Sequence, residues 1–476
     1  MRLLSKPWVG VGVLLGLGAV LCLGISSRKQ SAALTPLLEP LPQDPLIQVY
    51  FNHSQAAAYT EPYRQQERLG DDLEQVVVEA IATAQTSIDV ASHEFRLPRI
   101  AQALREKQQA GVRVRVIVEN EYRQPWTSLT PDQVAQLPER QQGKYLEAVQ
   151  LADRNGDGQL SQSEIDQGDA LVILQTGQIP LIDDTADGSK GSDLMHHKFV
   201  VIDRQRVLVA SANLTTSDVH GDFASEESQG NANHLIAIAN PDVAQLFAQE
   251  FEVMWGDGPG GNPDSLFGLK KPYRSPQTVT VAPGSTVTVQ FSPTSPRLPW
   301  QQSANGLIGR ALNTATRSAD LALFVFSEQN LSNLLQTKHS QGVQIRALID
   351  PGFAYRNYSE ALDMMGISLA DDRCRYEAEN QPWTSAIATV GIPNLPEGDI
   401  LHHKFGLVDG HLVITGSQNW SNAANEGNDE NVLVIDNPTV AAHFEREFDR
   451  LYSTATLGVP TWLQGKVRER QTQCNL

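Results

Sequence analysis

Apolar and polar positions alternate along this chain in a set order, and the order occurs twice. SIDVASHEFRLPRIAQALREKQQAGVRVRVIVEN (87–120) and SADLALFVFSEQNLSNLLQTKHSQGVQIRALID (318–350) each read as strand, helix, glycine, strand. Downstream, KFVVI and RVLVA in one copy and KFGLV and HLVIT in the other are short β-rich runs split by a polar turn. Each copy then closes on an amphipathic helix, NPDVAQLFAQEFEVMW (240–255) and NPTVAAHFEREFDRLY (437–452). The pattern predicts an α/β fold in which a mixed sheet flanked by helices forms twice, as two pseudo-symmetric lobes. The first lobe is expected over 45–255 and the second over 286–455. A Gly/Pro-rich linker (256–285) lies between them, and a tail (456–476) follows.

The N-terminus breaks the pattern. Trp8 to Ile25 carries no charge and follows Arg2 and Lys6, so residues 1–30 read as a membrane anchor or an export signal. Either reading expects a membrane-anchored or exported, extracytoplasmic protein, periplasmic or secreted. The whole chain, 41% hydrophobic and 19% charged, has a composition that suits large buried cores. A formal charge of -18 disfavours general attraction to nucleic acid. Cys22 sits in the apolar run. Cys374 and Cys474 either pair in an oxidising compartment or stay as two free thiols.

The copies differ in length at one place. Gly111 and His196 are 85 residues apart, against 60 for Gly342 and His402. The longer copy holds DRNGDGQLSQSE (153–164), which fits an EF-hand calcium loop position by position. Asp153, Asn155 and Asp157 take positions 1, 3 and 5, Gln159 offers its carbonyl at 7, and Glu164 is the bidentate ligand at 12. Gly158 supplies the sharp turn. The expectation is Ca2+ in a structural or regulatory role, with no cofactor required for chemistry. A polar surface turn is the alternative.

The densest chemistry lies in DLMHHKFVVIDRQRVLVASANLT (193–215) and its near copy DILHHKFGLVDGHLVITGSQNWS (399–421). In extended chain, residues two apart share a face. His196 with Lys198, and Ser211 with Asn213, are therefore expected to converge, as are His402 with Lys404 and Ser417 with Asn419. His197 and His403 point the other way, as supporting residues. Asp409-Gly410 between the runs signals a tight hairpin, Asp203 holds the equivalent turn position in the first copy, and the turn preference favours a structural role for both. As motif residues both stay in the candidate catalytic set. Imidazole, ammonium and amide groups suit a phosphodiester. The cations and amides stabilise growing phosphoryl charge, one imidazole attacks, and another donates a proton. One copy supplies one suitable imidazole, so the chemistry needs both. Zinc binding by the adjacent histidines is disfavoured by the lysine beside each pair.

HHKFVVID…ASAN and HHKFGLVD…GSQN resemble the paired HxKxxxxD…GSxN motifs of the phospholipase D superfamily. The resemblance implies a two-lobed fold with one active site between the lobes. It implies metal-independent cleavage through a phosphohistidine, with His196 as nucleophile and His402 as acid. It also implies a downstream glutamate that orients the motif histidine, a position that Glu430 fits. The first copy has Asn233 there, which leaves Glu226 or Glu227 as the expected stand-in. With both motifs on one chain, a monomer is expected. The function expected is hydrolysis of phospholipids, or transfer of their phosphatidyl group, at a membrane. An extracytoplasmic nuclease of the same superfamily is the alternative, and an inactive calcium-binding interaction protein is a second.

Overall fold

The computed structural model describes residues 35–189 and 191–475, so the apolar run 8–25 lies outside it. No helix among the described residues is long and apolar enough to cross a membrane.

Two mixed sheets form with matching strand order. The first runs Ile47–Phe51, His234–Ile238, Arg206–Ala210, Lys198–Ile202, Ser87–Ser92, Arg113–Val118, Leu181–Asp183. The second runs Ser285–Phe291, Asn431–Asp436, Leu412–Gly416, Lys404–Val408, Ser318–Leu323, Gln344–Ile349, Val390–Ile392. Registers correspond as well. Ser87 lies opposite Arg113 and Ser318 opposite Gln344, in parallel pairs. Ser92 meets Lys198 and Leu323 meets Lys404, in antiparallel pairs. The repeat therefore sets each motif strand beside the first strand of its own lobe.

Two regions differ from the sequence expectation. Gln277–Ala282, inside the stretch read as linker, pairs with Ser285–Phe291 as an edge strand of the second sheet. The tail adds another edge, Thr456–Leu457, and then the helix Thr461–Cys474. Cys374 and Cys474 form a disulfide across 100 residues of chain, which settles their pairing.

The closing helices, Pro241–Trp255 and Pro438–Tyr452, start alike. Asn240 and Asn437 cap them, each side chain accepting two amides of the first turn, and proline takes the first helical position. Their buried faces build a core shared by both lobes. Phe199, Phe247 and Phe251 meet Phe405, Phe444 and Phe448 there. Separate cores fill the outer face of each sheet. Truncating one such phenyl to alanine costs ~3–5 kcal/mol, a large part of a domain's net stability.

Asp203 and Asp409 sit at the hairpin turns with φ of 52° and 53°. The carboxylate of Asp409 accepts the amides of Thr316, Arg317 and Ser318 and the hydroxyl of Thr316. Asp203 does the same for Gln85, Thr86 and Ser87. Each clamps the hairpin to the start of its lobe's first strand. A five-residue strand, ~16 Å long, separates each from its motif lysine. The structure thus places both at the hairpin turns that the turn preference indicated, bonded to the start of the first strand.

The insertion folds as helices Pro131–Gln136, Glu139–Ala152 and Gln162–Gly168, with the DRNGDGQLSQSE loop between the last two. Asp153, Asn155, Asp157 and Glu164 turn their oxygens onto amides of the loop itself. Among the described residues no three His, Cys, Asp or Glu side chains gather closely enough to hold a metal.

Two stability tests follow from this architecture. Closing a loop of about 100 residues is worth about 5 kcal/mol in the chain-entropy picture. Cys474→Ser should lower the melting temperature by several degrees, and a reductant should lower the wild type equally and the variant no further. Burial opposes the charge on Asp409, but its hydrogen bonds prevail and hold the carboxyl at about 2, below the ordinary 3.8. That stability is present above the unfolded value and is lost as pH falls through about 2. Asp409→Asn should melt lower than wild type at pH 7, with the gap closing in acid, while turnover below the melting range changes little.

Candidate active site

His196 and His402 each stand just before a motif strand, where the chain leaves its own sheet and pairs with the other lobe. The His196 amide donates to the Asp429 carbonyl at 3.0 Å, and the Asp429 amide returns to Leu194 at 2.9 Å. In the mirror arrangement the His402 amide donates to Ala232 at 3.1 Å, and Ala232 donates to Ile400 at 2.9 Å. The next residue in each partner segment, Glu430 or Asn233, is thereby carried to the opposite lobe's histidine.

Nδ1 of His196 lies 2.7 Å from Oε2 of Glu430. Nδ1 of His402 lies 3.0 Å from Oδ1 of Asn233. Glu430 thus serves the histidine of the other copy, not its own. The group left open for His196 is neither Glu226 nor Glu227, both of which are exposed. With each Nδ1–H directed at an oxygen, each Nε2 is left for chemistry. The serines lock these partners in place. Ser211 donates to Asn233 Oδ1 at 2.7 Å, and Ser417 hydrogen-bonds the Glu430 carboxylate. Both serines are fully buried, with their hydroxyls turned onto these orienting side chains. Asn213 and Asn419 are partly exposed, and each keeps its amide oxygen without a partner.

Lys198 and Lys404 are buried and donate to the carbonyls of His196 and His402 at 2.8 and 2.7 Å. Burial and, for Lys404, the neighbouring lysine push their ammonium groups well below the ordinary 10.5. Burial also holds both imidazoles far below 6.5, and each feels both lysines. The two motifs are thus one electrostatic unit. Burial pushes Glu430 up to about 7.

A layer behind these groups escaped the sequence reading. Nε2 of His197 lies 3.1 Å from Glu250, and Nε2 of His403 lies 2.9 Å from Glu447. Both glutamates stand ten residues after the capping asparagine of the closing helix, a match visible in the repeat. His403 also meets His234, Nδ1 to Nδ1, at 2.9 Å, and His234 reaches Thr415 at 2.6 Å. With His403 donating to Glu447, the shared proton sits on His234 and Thr415 donates to its other nitrogen. Glu119 and Asp350, equivalent in the repeat, accept the amides of Met195 and Leu401. Lys271, from the linker, forms ion pairs with Glu250 and Asp429.

The rings beside the histidines differ between lobes. His93 packs edge-on against His196 at 4.8 Å and against Tyr122 at 5.1 Å. The equivalent pair in the second lobe is Phe324, 5.0 Å from His402, and Phe353.

A model of the family described as "Cardiolipin synthase, PLD-like domain" matches residues 77–255 and 308–452. Mitochondrial cardiolipin hydrolase of Homo sapiens is 32% identical over 157 residues, which is 33% of this chain and 53% of that protein. The Mus musculus protein of that name is 31% identical over 157 residues, 33% of this chain and 61% of its own length. The crystal structure of phosphatidylserine synthase from Haemophilus influenzae is similar in fold, with a TM-score of 0.54 at 12% identity, covering 91% of this chain and 94% of that one. Because the family model runs through both halves, motif by motif, the chain belongs to the cardiolipin synthase, PLD-like domain family.

Proposed function

We propose that this chain is a phospholipase D-type phosphodiesterase that hydrolyses phospholipids, or transfers their phosphatidyl group, through a phosphohistidine. The observation that carries this reading is the cross-lobe pairing of His196 with Glu430 and of His402 with Asn233, around two buried lysines. Nε2 of His196 attacks phosphorus, forming a P–N bond as the P–O bond to the leaving alcohol breaks. His402 gives its Nε2 proton to that oxygen. Neutral His402 then takes a proton from water or an acceptor alcohol, a P–O bond forms, and His196 is released. Lys198, Lys404, Asn213 and Asn419 stabilise the non-bridging oxygens.

The unequal partners support these roles. A carboxylate behind His196 offsets the positive charge of an N-phosphorylated ring. An amide behind His402 orients the ring through its carbonyl oxygen without adding a charge of its own. Phospholipid as substrate is supported by the family, by the named activity of the cardiolipin hydrolase relatives, and by a net charge of -18 that gives no general pull on polyanions. The apolar run 8–25 would keep the enzyme at a membrane.

Full-length protein incubated with cardiolipin or phosphatidylglycerol vesicles should release product, and His196→Ala and His402→Ala should each abolish nearly all turnover. Rapid quenching of the wild type should trap a labelled phosphatidyl group on His196, and His196→Ala should trap none. Cleavage of single-stranded DNA with no release from any phospholipid would replace this reading with the nuclease.

Calcium at 153–164 is proposed as a stabilising ligand with no part in the chemistry. The oxygens of Asp153, Asn155, Asp157 and Glu164 are of the hard type that calcium takes. Ca2+ should raise the melting temperature and EGTA lower it, in keeping with binding to the folded state alone. Initial rates at mild temperature should be the same in both.

A further inference from the structure

The two histidines are not backed by the same chemistry, and the difference leaves a charge to account for. Glu430 gives His196 a carboxylate, whereas Asn233 gives His402 a neutral amide. A buried imidazole beside two ammonium groups needs a counter-charge if it is to hold a proton.

Such a charge comes from another element of the first lobe. Asp218, on the short helix Thr216–Val219, places Oδ2 3.9 Å from Nδ1 of His402. It is only 3% exposed. Its position is fixed on three sides. Oδ2 accepts the Asn213 amide at 2.6 Å, Oδ1 accepts from the Asn231 side chain, and the Asp218 amide donates to Thr215. It is the one carboxylate in ion-pair contact with His402 among the described residues.

The repeat makes the exchange explicit. Asp218 lies five residues after Asn213, and the residue five after Asn419 is Ala424. The first lobe thus faces His402 with Asn233 and Asp218, while the second faces His196 with Glu430 and has an uncharged alanine, Ala424, at the position equivalent to Asp218. Each lobe offers the opposite histidine one carboxylate, from the residue ahead of the strand Asn431–Asp436 in one case and from the helix Thr216–Val219 in the other.

We propose that Asp218 is the positioning carboxylate of His402, supplying from the helix the negative charge that Asn233 lacks. The proposal rests on the reading of His402 as the proton-transfer group. The other charges facing His402 are Lys404, Lys198, His196 and His403. Around Lys404 stand Asp218, Glu430 and Asp350. A negative neighbour favours the imidazolium, so removing Asp218 lowers the affinity of His402 for its proton.

The test is a histidine titration by NMR on the full chain in detergent micelles, with 15N-labelled imidazoles, alongside pH–rate profiles on cardiolipin. Asp218→Asn keeps an oxygen for the Asn213 amide. It should lower the His402 midpoint by about one unit. The alkaline limb of kcat/KM should move to lower pH by the same amount, with the His196 midpoint unmoved. Asn233→Asp in that background should restore both, and should do less in the wild type, where Asp218 is already present. In the wild-type chain the Asp218 carboxyl carbon should report the His402 midpoint, a readout that survives if Asp218→Asn fails to fold. An unmoved His402 midpoint, additive effects of the two substitutions, or an Asp218 carbon blind to His402 would each overturn the assignment. No turnover on any phosphodiester, with the titration shift intact, would instead sink the activity and leave Asp218 in place.

Discussion

The site depends on backbone hydrogen bonds that cross between the lobes. They tie the residues ahead of each motif strand to the segment ahead of the opposite lobe's terminal strand. A backbone bridge fixes register to one residue, and a slip of one would turn Glu430 or Asn233 to the other face. The orienting groups of both histidines are therefore set by main-chain pairing, with side-chain bonds from Ser211 and Ser417 completing the restraint. Relative motion of the lobes would separate each imidazole from its partner, and the shared phenyl-rich core opposes that motion.

Around this frame the chain buries charge at a density that ordinary folding would not reward. Two ammonium groups lie beside two imidazoles, with Glu430 and Asp218 as the acidic counterparts. Desolvating such groups costs several kcal/mol each unless pairing offsets it. Here the pairing is incomplete. Asn213 and Asn419 leave amide oxygens without partners, and both lysines are held well below their ordinary proton affinity. An anion entering between the lobes would supply the missing negative charge.

Much of this was legible in the sequence, for physical reasons. Strand and helix periods are local, so the doubled order of elements could be read from the pattern of Ser87–Asn120 against its copy. The turn role of Asp409 could be read from the left-handed backbone that Asp-Gly accepts, and that of Asp203 from its equivalent place in the repeat. What could not be read was which lobe each partner faces. Glu430 was recognisable as an orienting residue, but its histidine lies 234 positions away and no local period encodes that contact. Alternation could not show that the hydroxyls of Ser211 and Ser417 turn onto the orienting side chains, because those partners are remote in sequence. The edge strand Gln277–Ala282 was hidden by the glycines and prolines around it, because an edge needs only one neighbour to form.

The exchange of partners also bears on how such a chain diversifies. Neither half holds a complete unit, since each brings a histidine and the backing for the other's. Two identical copies of one half, associated about a twofold axis, would close the same bridges, but any substitution would then fall on both histidines at once. Joining the halves in one polypeptide lifts that restriction. Asn233, Asp218 and Ala424 record the freedom gained: the site keeps twofold symmetry in its backbone and has lost it in its charges. Division of labour between two chemically identical groups is in this sense a property of covalent linkage, available to a fused pair and closed to a symmetric dimer.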